Sequence, residues 1–386
     1  MRSNHIFRKI TAILMIGSTL LLPGCNKKKK PAEKAKVILD CDMGAMNDDT
    51  LALSMLLQEE KAGKIEVVGI TLEGGNVLID AEFESEGMVQ TSAWDSTQSF
   101  LEKIGRTDLP VYRGTDIPES YTIDTISELA KYYETTDYLP YCDAYGAIHA
   151  YEHTTAGALC DSDEASKFLI DTVKEHPGEV VIIATGPTMN IARAIEQDTS
   201  FAPNVQAIYY MGGALGARYE ETSMKGNQVQ AITGANVTPF AEYNVLYDPA
   251  SFYTCITADF PKQVISPAEM SMPFDEQTFK ELKDKGSEGD MAKVWIEQYE
   301  VLLPDYPYWD PIIAYAYIRP AQVTTTEQYV TVNTDREDPE FGATYGISAE
   351  EYDRLSELEK QEYGKIEVVT GVNDFWKETI DLLVQK

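Results

Sequence analysis

The chain has 386 residues and carries 63 Asp and Glu against 32 Lys and Arg, a net charge of −31. Hydrophobic residues at 44% and charged residues at 25% exclude a disordered or fibrous chain, and the length suits one large domain or two ordinary ones. The acidity excludes nucleic acid as a partner, because phosphate would be repelled, and leaves a substrate that is neutral or cationic or that meets a bound metal.

The charge is unevenly placed. Nine of the 32 basic residues and one of the 63 acidic residues precede Val37, which leaves a body of net charge −39. Residues 1–24 read as an export signal: Arg2, Arg8 and Lys9 are followed by an apolar run from Ile10 to Leu22. Its 13 residues are too few to span about 30 Å of hydrocarbon comfortably. Leu22-Pro23-Gly24-Cys25 then resembles the bacterial lipobox, with Cys25 as the lipidated N-terminus and residues 25–36 as a Lys-rich tether. A plain signal peptide with a chance Cys is the alternative. The expected location is extracytoplasmic, anchored by lipid to a bacterial membrane at its periplasmic or surface face. Cys41, Cys142, Cys160 and Cys255 show no CxxC spacing, and buried free thiols are expected in preference to a disulfide.

From Val37 to the end a single α/β domain is expected. Val37–Leu39, Val67–Thr71, Val180–Ala184 and Ile208–Met211 are short runs apolar throughout, as for parallel strands buried on both faces. Each ends in a polar or glycine-containing turn. Thr50–Glu60 is apolar nearly all round and predicts a buried helix; Pro187 predicts the first turn of another, through Ala194. Strand, turn and helix in alternation give a mostly parallel sheet flanked by helices, open and Rossmann-like, whose ligands bind beyond the C-terminal strand ends. Arg218–Thr233 and Asp335–Gly364 read as surface insertions, the second with a short helix over Leu355–Leu358.

The unusual residues cluster at those strand ends. Asp40, Asp42, Asp48 and Asp49 place four carboxylates within ten residues, and four anions resist ionisation together unless a cation offsets them. Oxygen-only ligands suit Ca²⁺ or Mg²⁺. An exposed acidic loop or a helix cap is the plainer alternative. The aspartyl pair of haloacid-dehalogenase-like phosphatases is disfavoured, because Gly44 stands where that family expects Thr or Val. His149-x-x-Glu152-His153 has the HxxEH spacing of a zinc metalloprotease, though Thr154 to Gly157 continue a helix poorly. Glu242 and Asn244 would share one face of an extended segment and bind adjacent hydroxyls, as on a sugar. Asp310 precedes the apolar helical run Ile312–Ala316, where a carboxylate serves as a cap unless the fold brings it to the first cluster.

In this order the segments resemble the inosine-uridine-preferring nucleoside hydrolase family, from Val37 to about Pro320. The opening DxDMG…DD is the most specific motif. Ile70-Thr71…Gly75-Asn76-Val77, Pro110-Val111-Tyr112-x-Gly114, Gly186–Ala192, Met211-Gly212-Gly213, Asn236…Glu242-Tyr243-Asn244 and Asp248-Pro249 follow it. The resemblance implies Ca²⁺ held by Asp42, Asp49, Asp310 and the Met189 carbonyl, with Asp42 as general base. It implies a ribose pocket of Asp48, Asn76, Met211, Asn236, Glu242, Asn244 and Asp310, and hydrolysis of an N-glycosidic bond through an oxocarbenium-like state. It also implies a homodimer or homotetramer. The sequence departs from the family at Trp309, where many members carry His to protonate the leaving base. A purine stacked on Trp309 would serve that purpose instead, which gives a purine-leaning expectation. Tyr145 falls near another position that faces the base. The competing function is a surface lipoprotein that captures nucleosides without turnover.

Overall fold

The computed structural model describes residues 34–44, 47–75, 77–85, 88–119, 159–215, 241–286, 290–299, 306–336, 338 and 340–385. The expected central strands form as β1 (Ala35–Cys41) and β2 (Ile65–Leu72). Short pairs β3 (Phe83–Ser85) and β4 (Met88–Gln90) precede the edge strand β5 (Val111–Arg113). Then come β6 (Val180–Ala184), β7 (Ala207–Met211) and β8 (Gln263–Ser266). A small pair, β9 (Met272–Phe274) with β10 (Tyr306–Tyr308), stands apart from the main sheet. The last strands are β11 (Val323–Val332), β12 (Thr344–Ile347) and β13 (Gly364–Val372). The main sheet has nine strands in the order β12-β11-β13-β8-β7-β6-β1-β2-β5. Pairing is parallel from β13 through β5, and β11 runs antiparallel to both β13 and β12.

The chain lays β2 and β5 on one side of β1, then returns to lay β6, β7 and β8 on the other. The connections therefore diverge between β1 and β6, and the crevice past their C-terminal ends is the place where such sheets bind ligands. Alternation divides β1 between the two faces. Val37, Leu39 and Cys41 pack with the buried helix Asp48–Lys61 and with helices Asp310–Ile318 and Phe375–Leu383. Ile38 packs against helices Glu164–Glu175, Met189–Gln197 and Pro249–Thr257. The β6 residues Val181, Ile182 and Ile183 are at most 1% exposed, so truncating one to Ala should cost about 2–5 kcal/mol. Cys41, Cys160 and Cys255 are free thiols. No helix among the described residues is long and apolar enough to cross a membrane.

Three local expectations are corrected. Pro187 lies outside the helix it was expected to open: the helix begins at Met189, and Thr188 before it takes φ 66° and ψ 13°. That left-handed backbone is a genuine outlier for a β-branched residue. Glu242 and Asn244 do not alternate along an extended segment, because Glu242 is the N-cap of the short helix Tyr243–Tyr247 and Asn244 lies within it. The acidic stretch after Asp335 is only partly an insertion. It supplies β12 to the sheet edge, then two short helices, Ala349–Tyr352 and Glu357–Lys360, each opened by a Ser–Glu capping box.

Candidate active site

Two helix N-termini converge beyond β1. Asp48 and Asp49 open the helix Asp48–Lys61, and Asp310 is the first residue of the helix Asp310–Ile318. All three are buried, and one carboxylate oxygen from each lies within 4.8 Å of the others. The helix dipoles favour anions here but do not cancel three of them. Asp48 Oδ2 accepts hydrogen bonds from the amides of Trp309 at 3.1 Å and Asp310 at 3.4 Å, so it caps the second helix from the first. Asp49 accepts from Thr185 Oγ1 and from Asn47 Nδ2, each at 2.6 Å. Burial pushes the Asp310 carboxyl well above the ordinary range, and Asp48, Asp49 and Asp42 add to the effect by repulsion. Burial and then Asp48 raise Asp49 to about 7. The Asp48 carboxyl also rises through burial.

Asp42 follows β1 directly and is fully buried. A Cβ on Gly75 would stand 2.8 Å from its Cβ and Cγ, so only glycine lets the loop after β2 lie over this side chain. Tyr243 donates its hydroxyl to the Gly75 carbonyl at 2.7 Å and ties that loop down. A closely spaced, buried, oxygen-only set of carboxylates that raise one another's pKa fits a hard divalent cation. The tightest trio includes Asp48, which the resemblance assigned to the sugar. Asp42 adjoins the trio and acts on Asp310 through its charge.

The other expected residues that are described gather near the ends of β6 and β7 and the start of the helix Asp310–Ile318. Met211 ends β7, and the Asn244 side-chain amide donates to the carbonyls of Thr185 at 2.8 Å and Met211 at 3.3 Å. Glu242 accepts from the amides of Asn244 at 2.8 Å, Gly213 at 3.0 Å and Val245 at 3.1 Å. Burial raises its carboxyl to about 7 against those donors. Trp309 is 7% exposed, and its indole N–H donates to the Ala268 carbonyl at 3.0 Å. Met189 is the first residue of its helix and is buried. Asn76, Asn236, Tyr145, Cys25, Cys142 and the His149-Glu152-His153 triplet lie outside the described residues.

Sequence reasoning treated Asp40 as one of four equivalent carboxylates and passed over Glu73. The structure places both in a separate layer. Asp40 Oδ1 accepts from Thr71 Oγ1 at 2.5 Å and Asn190 Nδ2 at 2.9 Å. Glu73 accepts from the Thr188 amide at 2.9 Å and the Asn190 amide at 3.3 Å. Burial raises Asp40 to about 6, and burial and then the charge of Asp40 raise Glu73 well above its ordinary range. Parity along β1 gives Asp40 the face of Ile38 but gives Asp42 the same one, so only the partners brought by β2 and the helix at Met189 separate the two.

Comparison with known proteins agrees with this geometry. A family model described as inosine-uridine preferring nucleoside hydrolase matches residues 37–377. The pyrimidine-specific ribonucleoside hydrolase RihB of Shigella sonnei is 27% identical over 362 residues, 89% of this chain and 95% of that one. A probable uridine nucleosidase 2 of Oryza sativa subsp. japonica is 30% identical over 224 residues, 58% of this chain and 54% of that one. The solved purine-preferring ribonucleoside hydrolase from Gardnerella vaginalis shares the fold with a TM-score of 0.59 at 22% identity, covering 90% of this chain and 98% of that one. With the family model spanning nearly all of the described body and the acidic crevice at its switch point, the chain belongs to the inosine-uridine preferring nucleoside hydrolases, enzymes that hydrolyse the N-glycosidic bond of nucleosides.

Proposed function

We propose that this hydrolase is Ca²⁺-dependent, leans toward purine ribonucleosides and works on the outer side of a bacterial membrane, held there by a lipid on Cys25. The observation that carries the metal reading is the buried trio Asp48, Asp49 and Asp310 at the end of β1. Asp42, Asp49, Asp310 and the Met189 carbonyl would hold the cation. When bound, Ca²⁺ offsets the repulsion among these carboxylates and lowers the pKa of a coordinated water.

The chain's own residues supply the rest. Asp42 accepts the proton of the attacking water, a role that needs a carboxylate within hydrogen-bond reach of it. Asp48, Glu242, Asn244 and Asp310 hold the ribose hydroxyls, with Met211, Asn76 and Asn236 around the sugar. Carboxylates near the ring stabilise the positive charge that develops as the glycosidic bond breaks. Trp309 adjoins Asp310, and its indole is pinned by Ala268, which suits a fixed ring face for stacking a purine. A signal peptide at residues 1–24 and a Lys-rich tether at 25–36 would carry the domain to its membrane.

Initial rates of ribose release from inosine, guanosine, uridine and cytidine test this reading. Purine nucleosides should turn over faster than pyrimidine nucleosides. A preference for uridine would align the chain with its pyrimidine-named relatives and remove the role given to Trp309. Binding of nucleosides without release of ribose would make it a capture protein. Fatty-acid labelling of the Cys25→Ala protein should be lost; retained label would overturn the anchor.

A further inference from the structure

Glu73 lies in the layer beneath the carboxylate trio and has no part in the chemistry above. Its two oxygens grip one short stretch of backbone: Oε1 accepts the Thr188 amide and Oε2 the Asn190 amide. The Asn190 N–H belongs to the same peptide unit as the Met189 carbonyl. A trans peptide is planar, with its N–H and C=O pointing in opposite directions. Glu73 on the N–H side therefore turns the Met189 oxygen directly away from itself. A carboxylate accepting that N–H also polarises the peptide and makes its carbonyl oxygen a stronger acceptor and a stronger ligand for a cation.

The neighbouring contacts show that this stretch is held on several sides. Thr188 keeps its left-handed backbone with its amide on Glu73 and its carbonyl 3.7 Å from the Cys255 thiol. Asn190 Nδ2 also donates to the Leu72 carbonyl at 3.0 Å. A Cβ on Gly186 would stand 2.6 Å from Glu73 Oε1, so the chain before the turn is drawn against the same carboxylate.

We infer that Glu73 is a positioning residue for the metal site: it fixes and polarises the Met189 peptide so that its carbonyl is ready to ligate the cation. This rests on the reading of Met189 as a ligand. Calorimetric titration of Ca²⁺ into metal-free wild type, Glu73→Gln and Thr71→Val separates the two claims. Glutamine keeps the volume but turns an N–H₂ toward one of the two amides. Glu73→Gln should raise the Ca²⁺ Kd about 10–100-fold, the range for partners that orient a ligand. Thr71→Val strips a hydrogen bond from Asp40 in the same buried layer but not from the turn. It should lower Tm and leave the Ca²⁺ Kd unchanged. Wild type that binds no Ca²⁺ overturns the metal reading and this inference together. Wild type that binds, with Glu73→Gln equal to it or with Thr71→Val weakened as much, overturns the positioning role alone. If Glu73→Gln does not fold, hydrogen exchange in metal-free wild type decides: the Asn190 amide should be strongly protected, and rapid exchange there would contradict the clamp.

Discussion

Two carboxylate layers sit a few residues apart at the end of β1, and they differ in what faces them. In the rear layer, Asp40 and Glu73 meet hydrogen-bond donors from Thr71, Asn190 and the Thr188 and Asn190 amides. In the front layer, the first influence on Asp310 after burial is other carboxylates, from Asp48, Asp49 and Asp42. Those donors tie the rear layer into the β2 turn and the start of the helix at Met189, although the Asp40 charge still raises Glu73. On the proposed reading, the front layer takes its balancing charge from a bound cation and from the developing positive charge of a sugar. Both layers meet hydrogen-bond donors; what sets the front one apart is three buried carboxylates with oxygens within 4.8 Å of one another at the topological switch point.

The largest effect expected of a front-layer change is on turnover. Asp42→Asn keeps an oxygen for the cation but cannot take a proton, so kcat should fall on the order of 10³-fold with Ca²⁺ still bound. Steady-state kinetics beside metal analysis checks this, and a small loss would return Asp42 to the scaffold. Asp49→Ala comes next. It removes a hard anionic ligand, so bound Ca²⁺ should be lost, together with the Tm increase that Ca²⁺ gives wild type. A variant that retains stoichiometric Ca²⁺ would erase the distinction between the layers.

Trp309 stands at the border of the front layer and sharpens the comparison on the base side. Trp309→Ala should slow inosine hydrolysis about tenfold more than hydrolysis of a nitrophenyl riboside, whose leaving group needs no protonation. Equal losses on both, with a lower Tm, would make the ring a packing residue held by its bond to Ala268.

The smallest effect concerns Asp116, a buried carboxyl resembling the rear layer. It accepts from the Ile79 amide at 2.9 Å and the Cys160 amide at 2.7 Å, and burial raises it from 3.8 to about 7. The folded chain thus keeps a proton that the unfolded chain releases between about pH 4 and 7. The contribution of this group is greatest below the unfolded pKa and declines as pH rises toward 7, by at most about 1.4 kcal/mol per pH unit. Denaturant midpoints measured across that range should show a shallower decline in Asp116→Asn than in wild type. Identical slopes would mean the group titrates normally.

Much of this arrangement was legible in the sequence because it follows short-range rules. Four uninterrupted apolar runs marked β1, β2, β6 and β7, and the sheet places them side by side. Asp42, Asp48, Asp49 and Asp310 could be picked out from their places at a strand end and at helix starts. Other features depend on partners distant in the chain. Asp40 is separated from Asp42 only by what β2 and the helix at Met189 bring to it. Glu73 looked like one residue of a glycine-rich turn until the turn met Thr188 and Asn190. The alternation of Glu242 and Asn244 suggests an extended segment, whereas the Glu242 carboxylate gathers the amides of Gly213, Asn244 and Val245 and starts a helix. A Thr in a left-handed backbone has no local signature, because the surrounding contacts impose it.

Everything proposed for the front layer depends on its being a Ca²⁺ site that nucleoside hydrolysis requires. The most direct measurement is ribose release from inosine by the full chain before and after treatment with EDTA, and again after Ca²⁺ is restored, with bound metal quantified at each stage. One Ca²⁺ per chain is expected at the start, with loss of both metal and activity on adding the chelator and recovery of both on adding Ca²⁺. Activity that persists in metal-free protein would contradict it.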